Sequence, residues 1–135
     1  MKIFIDTNVW LSAILGRGLC AELLAAGVEN EAELLLDERV KQEFFRIAET
    51  KFQAGERELA LAGEFFSEAC VVLPAAEAPI ANIPVPDDAW ILAAALGAGA
   101  DWFVTGDQAL LDLGQVDDLP IVSPREAYLR LRGLS

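Results

Sequence analysis

The sequence predicts an α/β fold: one domain spanning residues 1–135, with a mainly parallel central sheet and helices on both faces. Three observations predict it. Short apolar runs alternate with helix-period segments along the whole chain. The runs lead into acids: Lys2–Ile5 meets Asp6, Glu33–Leu36 meets Asp37, and Trp102–Val104 is followed closely by Asp107. The 135 residues are 54% hydrophobic, which suits one domain with a real core. There are no internal repeats and no low-complexity tract.

The elements follow in order. Lys2 to Ile5 is a short strand ended by Asp6. Thr7 or Asn8 is placed to cap a helix carrying Val9, Trp10, Ala13 and Ile14, which Gly16-Arg17-Gly18 breaks. A second helix runs from about Leu19 to Ala26 and stops near Gly27. Glu33 to Leu36 is a strand. Asp37 then caps a helix whose apolar positions are Val40, Phe44, Ile47 and Ala48. Glu43, three after Val40 and four before Ile47, lies at the edge of that stripe. Beyond Gly55, Glu56 to Ala69 is a helix with Leu59, Ala62, Phe65 and Phe66 inward. Cys70 to Leu73 is a third strand. Pro74 to Pro86 holds four of the six prolines and reads as a loop.

The segment from Asp87 to Asp107 organises the rest. Ile91, Leu92, Ala95 and Leu96 share one helical face, and Asp88 sits one turn earlier on it. Gly97 to Gly99 turns the chain into Trp102-Phe103-Val104, a buried parallel strand. Asp107 follows its C-terminal end, the edge where open α/β sheets bind ligands. Asp107 to Leu113 is a short helix and Ile121-Val122 the last strand. Pro124 opens a C-terminal helix capped by Ser123, with Ala127, Tyr128 and Leu131 inward and Arg125, Arg130 and Arg132 outward.

Composition narrows the chemistry. Twenty-two acids against 10 Lys plus Arg give −12, which opposes broad electrostatic binding of nucleic acid or anionic membrane. A polyanionic substrate therefore calls for a local basic strip, a metal, or both. Cys20 and Cys70 form no CxxC motif and read as buried thiols in a reducing compartment. The absence of histidine excludes a Ser-His-Asp triad, His-based cleavage of RNA and His-ligated zinc. No run reaches the ~18–20 apolar residues of a membrane span. The first acid comes too early for a signal peptide, so a cytoplasmic protein is expected.

Asp6, Asp88 and Asp107 all fall at sheet-edge or buried-face positions, with Glu43 at the edge of another. Carboxylates there are costly unless paired or bound to a cation. No Lys or Arg stands near Asp88 or Asp107 in sequence, and hard divalent ions take oxygen ligands. Each acid also has a plainer reading: Asp6 and Asp107 as helix caps, Asp88 as an acid favoured by a helix dipole, Glu43 as a surface charge.

Asp6-Thr7-Asn8 after the first strand, Glu43 in a helix, Asp88-Ala89-Trp90-Ile91-Leu92-Ala93-Ala94-Ala95, and Val104-Thr105-Gly106-Asp107 resemble the PIN domain family. The likeness is to its bacterial and archaeal toxin-type branch related to VapC, and it runs from Met1 to Ser123-Pro124-Arg125-Glu126. It implies a metal-dependent endoribonuclease, the toxin of a toxin–antitoxin system, hydrolysing RNA phosphodiester bonds with a water activated by Mg²⁺ or Mn²⁺. Asp6, Glu43, Asp88 and Asp107 match the four acidic positions that hold the metal and carry catalysis. Thr105 matches the hydroxyl position beside the fourth acid, and Asn8 the polar residue after the first. One departure matters. The branch often has a second acid shortly after Thr-Gly-Asp, and here that position is Ala109.

Two other functions were weighed. A phospho-receiver signalling domain needs paired acids after the first strand and a lysine after the last; here Asp6 is alone and Ser123-Pro124 follows. A catalytically silent PIN-like binding module is opposed by the filled acidic positions. Expected partners are RNA, a small antitoxin and a second copy of the chain, with no membrane. Arg17, Arg39 and Lys41 are the basic residues best placed for an RNA backbone. Trp10, Phe65 and Phe66 are candidates for self-association, or for the core.

Overall fold

The structure, a computed structural model, describes residues 1–83 and 86–134. The elements are β1 (Lys2–Ile5), α1 (Thr7–Leu15), α2 (Leu19–Glu29), β2 (Glu33–Asp37), α3 (Glu38–Thr50), α4 (Glu56–Ala69) and β3 (Cys70–Leu73). Then come α5 (Pro86–Gly97), β4 (Trp102–Val104), α6 (Gln108–Leu111), β5 (Gln115–Val116), β6 (Leu119–Val122) and α7 (Pro124–Leu131). The strands form a six-stranded sheet in the order β3-β2-β1-β4-β6-β5. Every pairing is parallel except β5 with β6. This is the predicted fold class.

The strand order positions the site. From β1 the chain moves outward to β2 and β3, then returns to place β4 on the other side of β1. Right-handed crossovers in opposite directions put their helices on opposite faces. The switch of direction falls between β1 and β4, and crevices form outside the carboxyl ends of strands at such a point. Phe4 pairs Phe103 in register and their rings stack at 5.4 Å.

The core is one cluster around these strands, with Ile3, Phe4, Ile5, Leu34, Leu35, Leu36, Phe103 and Val104 all buried. Beside the sheet, Phe66 of α4 meets Trp10 of α1 edge-on at 5.1 Å and Phe44 of α3 edge-on at 5.1 Å. This aromatic knot holds the helices carrying Asn8 and Glu43 against each other. Trp10 and Phe66 are fully buried, so they serve the core and not self-association; Phe65 is half-buried.

Several boundaries differ from expectation, for local reasons. Asp6, not Thr7 or Asn8, caps α1, its carboxylate accepting from the Thr7 N–H. Gly27 does not stop α2, which runs on to Glu29. A Cβ at Gly27 would lie 3.0 Å from Leu34 Cδ2, so the glycine lets the helix approach β2 closely. Pro86 opens α5 instead of closing the loop. The loop itself is seen from Pro74 to Ile83; Pro84, also assigned to it, lies outside the described residues. Asp107 caps α6 from outside, and α6 ends at Leu111, not Leu113. The last strand begins at Leu119, and β5 pairs with it as an unexpected short hairpin. Its turn, Asp117-Asp118, lacks the usual Asn-Gly signal, though Asp117 has φ of 51°. Cys20 and Cys70 are half-buried, not buried. No single helix is long and apolar enough to cross a membrane among the described residues.

Candidate active site

Asp6 stands where β1 ends at the switch point, 6% exposed, its N–H donating to the Val104 carbonyl of β4 at 2.9 Å. Both carboxylate oxygens are held. Oδ1 accepts from the Thr7 N–H at 2.8 Å; Oδ2 accepts from the Thr105 hydroxyl at 2.8 Å and from Asn8 Nδ2 at 3.1 Å. Asn8 in turn accepts from the Gly106 N–H at 2.9 Å, and Thr105 Oγ1 from the Asp107 N–H at 3.1 Å. A Cβ at Gly106 would come within 3.2 Å of Asn8 Oδ1, so glycine keeps this approach open. The two supporting residues expected from sequence, Asn8 and Thr105, thus tie the end of β1 to the end of β4.

Asp107 follows β4 half-buried, its Oδ1 accepting from the Ala109 N–H at 2.9 Å. The plain reading of Asp6 and Asp107 as caps is therefore correct as far as it goes. It is incomplete, because both carboxylates also act on the other acids. Burial raises the Asp6 carboxyl above its ordinary value, hydrogen bonds from Thr105 and Thr7 resist this, and the charges of Glu43 and Asp107 add to the rise. Asp88, half-buried in the first turn of α5, is pushed up to about 6, by burial first and then by Asp6, Asp107, Glu43 and Asp87. Like-charged carboxylates near one another disfavour each other's ionisation. Four separate elements bring Asp6, Glu43, Asp88 and Asp107 into one acidic field.

That field spans two hollows. Glu43, exposed on α3, and Asp88 line one of about 350 Å³, together with Asp87, Gln42, Arg39 and Arg46. Asp107 lines another of about 450 Å³ with Asn8 and Gly106. Asp87 and Arg46 were missed from the sequence, although Asp87 adjoins Asp88 and Arg46 lies three residues after Glu43. Sequence distance also misled in suggesting that Asp88 has no cation nearby, since α3 delivers Arg39 and Arg46 to its hollow. Arg17 and Lys41 line neither hollow.

The donor set is all oxygen, four carboxylates with a hydroxyl and an amide in support, which suits a hard divalent ion. Among the described residues no three acidic or thiol side chains form a ready cage for an ion.

The family model described as PIN domain matches residues 2–109, a span that includes all four acids and ends at Ala109. This chain belongs to the PIN domain family. The phospho-receiver alternative falls with that assignment. No curated protein matches the chain. Among solved structures it is similar to a chain in the crystal structure of VapBC2 from Rickettsia felis bound to a DNA fragment from their promoter. The TM-score is 0.64 at 14% identity, covering 91% of this chain and 98% of that one. At that identity the likeness is one of fold. In this PIN domain the position after Thr-Gly-Asp where a second acid was expected is Ala109, whose N–H holds Asp107.

Proposed function

We propose that this PIN domain is a Mg²⁺- or Mn²⁺-dependent endoribonuclease acting in the cytoplasm, the toxin of a toxin–antitoxin pair. What supports the reading is that Asp6 and Asp107 follow the neighbouring strands β1 and β4, and that the charges of Glu43 and Asp107 raise Asp6 while those of Asp6, Asp107 and Glu43 raise Asp88. These four carboxylates would hold the divalent ion. When bound, the ion supplies a water of lowered pKa and offsets the negative field that would otherwise repel RNA. The chain's own groups do the positioning. The Thr105 hydroxyl, Asn8 amide and Thr7 N–H hold the Asp6 carboxylate in place, and the bonds from Thr105 and Thr7 oppose the rise that burial imposes. The Gly106 N–H fixes Asn8, and the Ala109 N–H orients Asp107.

A mixed set of single-stranded and structured RNAs with Mg²⁺ or Mn²⁺ tests this. The parent should cleave, and Asp6→Asn should cleave more slowly by more than about a hundredfold, since even residues that only orient metal ligands cost about 10–100-fold. Equal rates would end the assignment.

The proposed antitoxin has an apolar surface available to it. A hollow of about 540 Å³ between α1, α2 and α4 is lined by Ile14, Leu24, Val28, Leu61 and Phe65. Val28 and Leu61 are 53% and 57% exposed. Apolar side chains left exposed around a hollow suit the apolar face of a partner. Given the net charge of −12, we assign it to a basic amphipathic segment of the antitoxin. The homodimer expected from sequence now rests on exposed side chains such as these, without Trp10 or Phe66. Light scattering of the isolated chain across micromolar concentrations should detect dimer; monomer throughout would remove it.

A further inference from the structure

The acidic centre accounts for the carboxylates but not for the two arginines beside them. Arg39 lies four residues before Glu43 and Arg46 three after, so all three share one face of α3. Both arginines line the hollow they share with Asp88. The chain has 22 acids and 10 basic residues, yet among the described residues neither guanidinium forms an ion pair or donates a hydrogen bond. The charge of Arg39 does reach the buried Asp37, where it lowers a carboxyl that burial raises.

Arg39 also lies over an aromatic ring. Its Cζ lies 4.4 Å from the ring centroid of Trp90, two residues beyond Asp88 on α5. Stacking uses the face of a guanidinium and leaves its N–H edge open. No group among the described residues takes up the Arg39 donors, and a guanidinium fork suits phosphate oxygens. Arg46 repeats the charge roughly 10 Å further along the helix axis. The hollow of about 350 Å³ that both arginines line also holds Glu43 and Asp88.

We propose that Arg39 and Arg46 form a subsite for the phosphodiesters flanking the one presented to the acids, with the RNA backbone laid along α3. Trp90 is the plate that positions Arg39. This rests on the ribonuclease reading of the acids.

The test uses the full chain with Mg²⁺ and a fluorescein-labelled, single-stranded phosphorothioate RNA, its affinity followed by anisotropy across a salt series. Arg39→Gln and Arg46→Gln should each weaken binding about tenfold. The double variant should flatten the logarithmic salt slope by about 1.4, the loss of two phosphate contacts to a single strand. With unmodified RNA, KM should rise and kcat hold. Arg39→Lys and Arg46→Lys should keep the slope and regain only part of the affinity. Trp90→Leu should weaken binding at unchanged slope, because the charge of Arg39 remains. Arg57→Gln on α4 should change neither. If the glutamine variants keep parental affinity and slope while the parent binds and cleaves, the subsite is wrong and the ribonuclease reading stands. A loss matched by Arg57→Gln means a diffuse field and overturns the subsite too. A parent that neither binds nor cleaves RNA removes both proposals together.

Discussion

Asp88→Asn is expected to raise the melting temperature of the metal-free chain at neutral pH while stopping RNA cleavage. Asp88 is pushed from an ordinary 3.8 up to about 6, by burial and then by its acidic neighbours. A carboxyl with a raised folded pKa binds more protons in the folded state than in the unfolded one. The metal-free chain is therefore most stable, with respect to this group, below about pH 4. It loses that stability as pH rises toward about 6, and carries the whole penalty at neutrality. Asparagine removes the charge at nearly constant shape, so the pH 4–6 decline should flatten. A divalent ion that binds only the folded site stabilises the parent by mass action, and that gain should shrink in the variant. Thermal melts across pH, with and without Mg²⁺, measure each part. A lower metal-free melting temperature at neutral pH with an undiminished response to Mg²⁺ would mean that Asp88 is only a helix-terminal acid. Asp88 is the cleaner choice for this test. Asp6 accepts from Thr7, Thr105 and Asn8, so Asp6→Asn trades relief of charge against a damaged cap and a mismatched amide.

Phe66→Ala should be the most destabilising single truncation, at about 3–5 kcal/mol. Phe66 is fully buried and meets Trp10 and Phe44 edge-on, each at 5.1 Å. The loss is a large share of the ~5–15 kcal/mol that holds a typical domain together. It would loosen α1 and α3, the helices that carry Asn8 and Glu43, so cleavage should fall with stability. Urea unfolding gives the number, and Leu61→Ala, exposed on the same helix, is the comparison. If both variants unfold within about 0.5 kcal/mol of the parent, as surface substitutions do, the aromatic knot is not a keystone.

The alternation of strand and helix, the six-residue entry from Met1 to Asp6, and the segment from Asp88 to Asp107 were legible in the sequence. Each rests on local periodicity and on a residue type placed at an element end. The same locality explains the misses. Gly27 reads as a stop because a sequence does not display the side chain of Leu34 against which the helix lies. The β5–β6 hairpin carries no strong turn signal and becomes visible only through its pairing. Ala109 reads as a lost acid, and only the structure shows its N–H holding Asp107.

The sequence by itself therefore determined the fold class, the four acids as candidates, and the absence of any histidine chemistry. What only the tertiary structure decided is which groups act on one another. Asp6 and Thr105 are 99 residues apart and 2.8 Å from hydrogen-bond donor to acceptor. Arg39 and Trp90 lie on different helices, yet the guanidinium carbon comes within 4.4 Å of the ring centroid. Glu43 lies on an exposed helical face and still raises Asp6 and Asp88. Periodicity shows which side of its own element a residue occupies, whereas electrostatic and hydrogen-bond partners depend on distances across elements, and those are set by how the order of strands switches sides at β1 and β4.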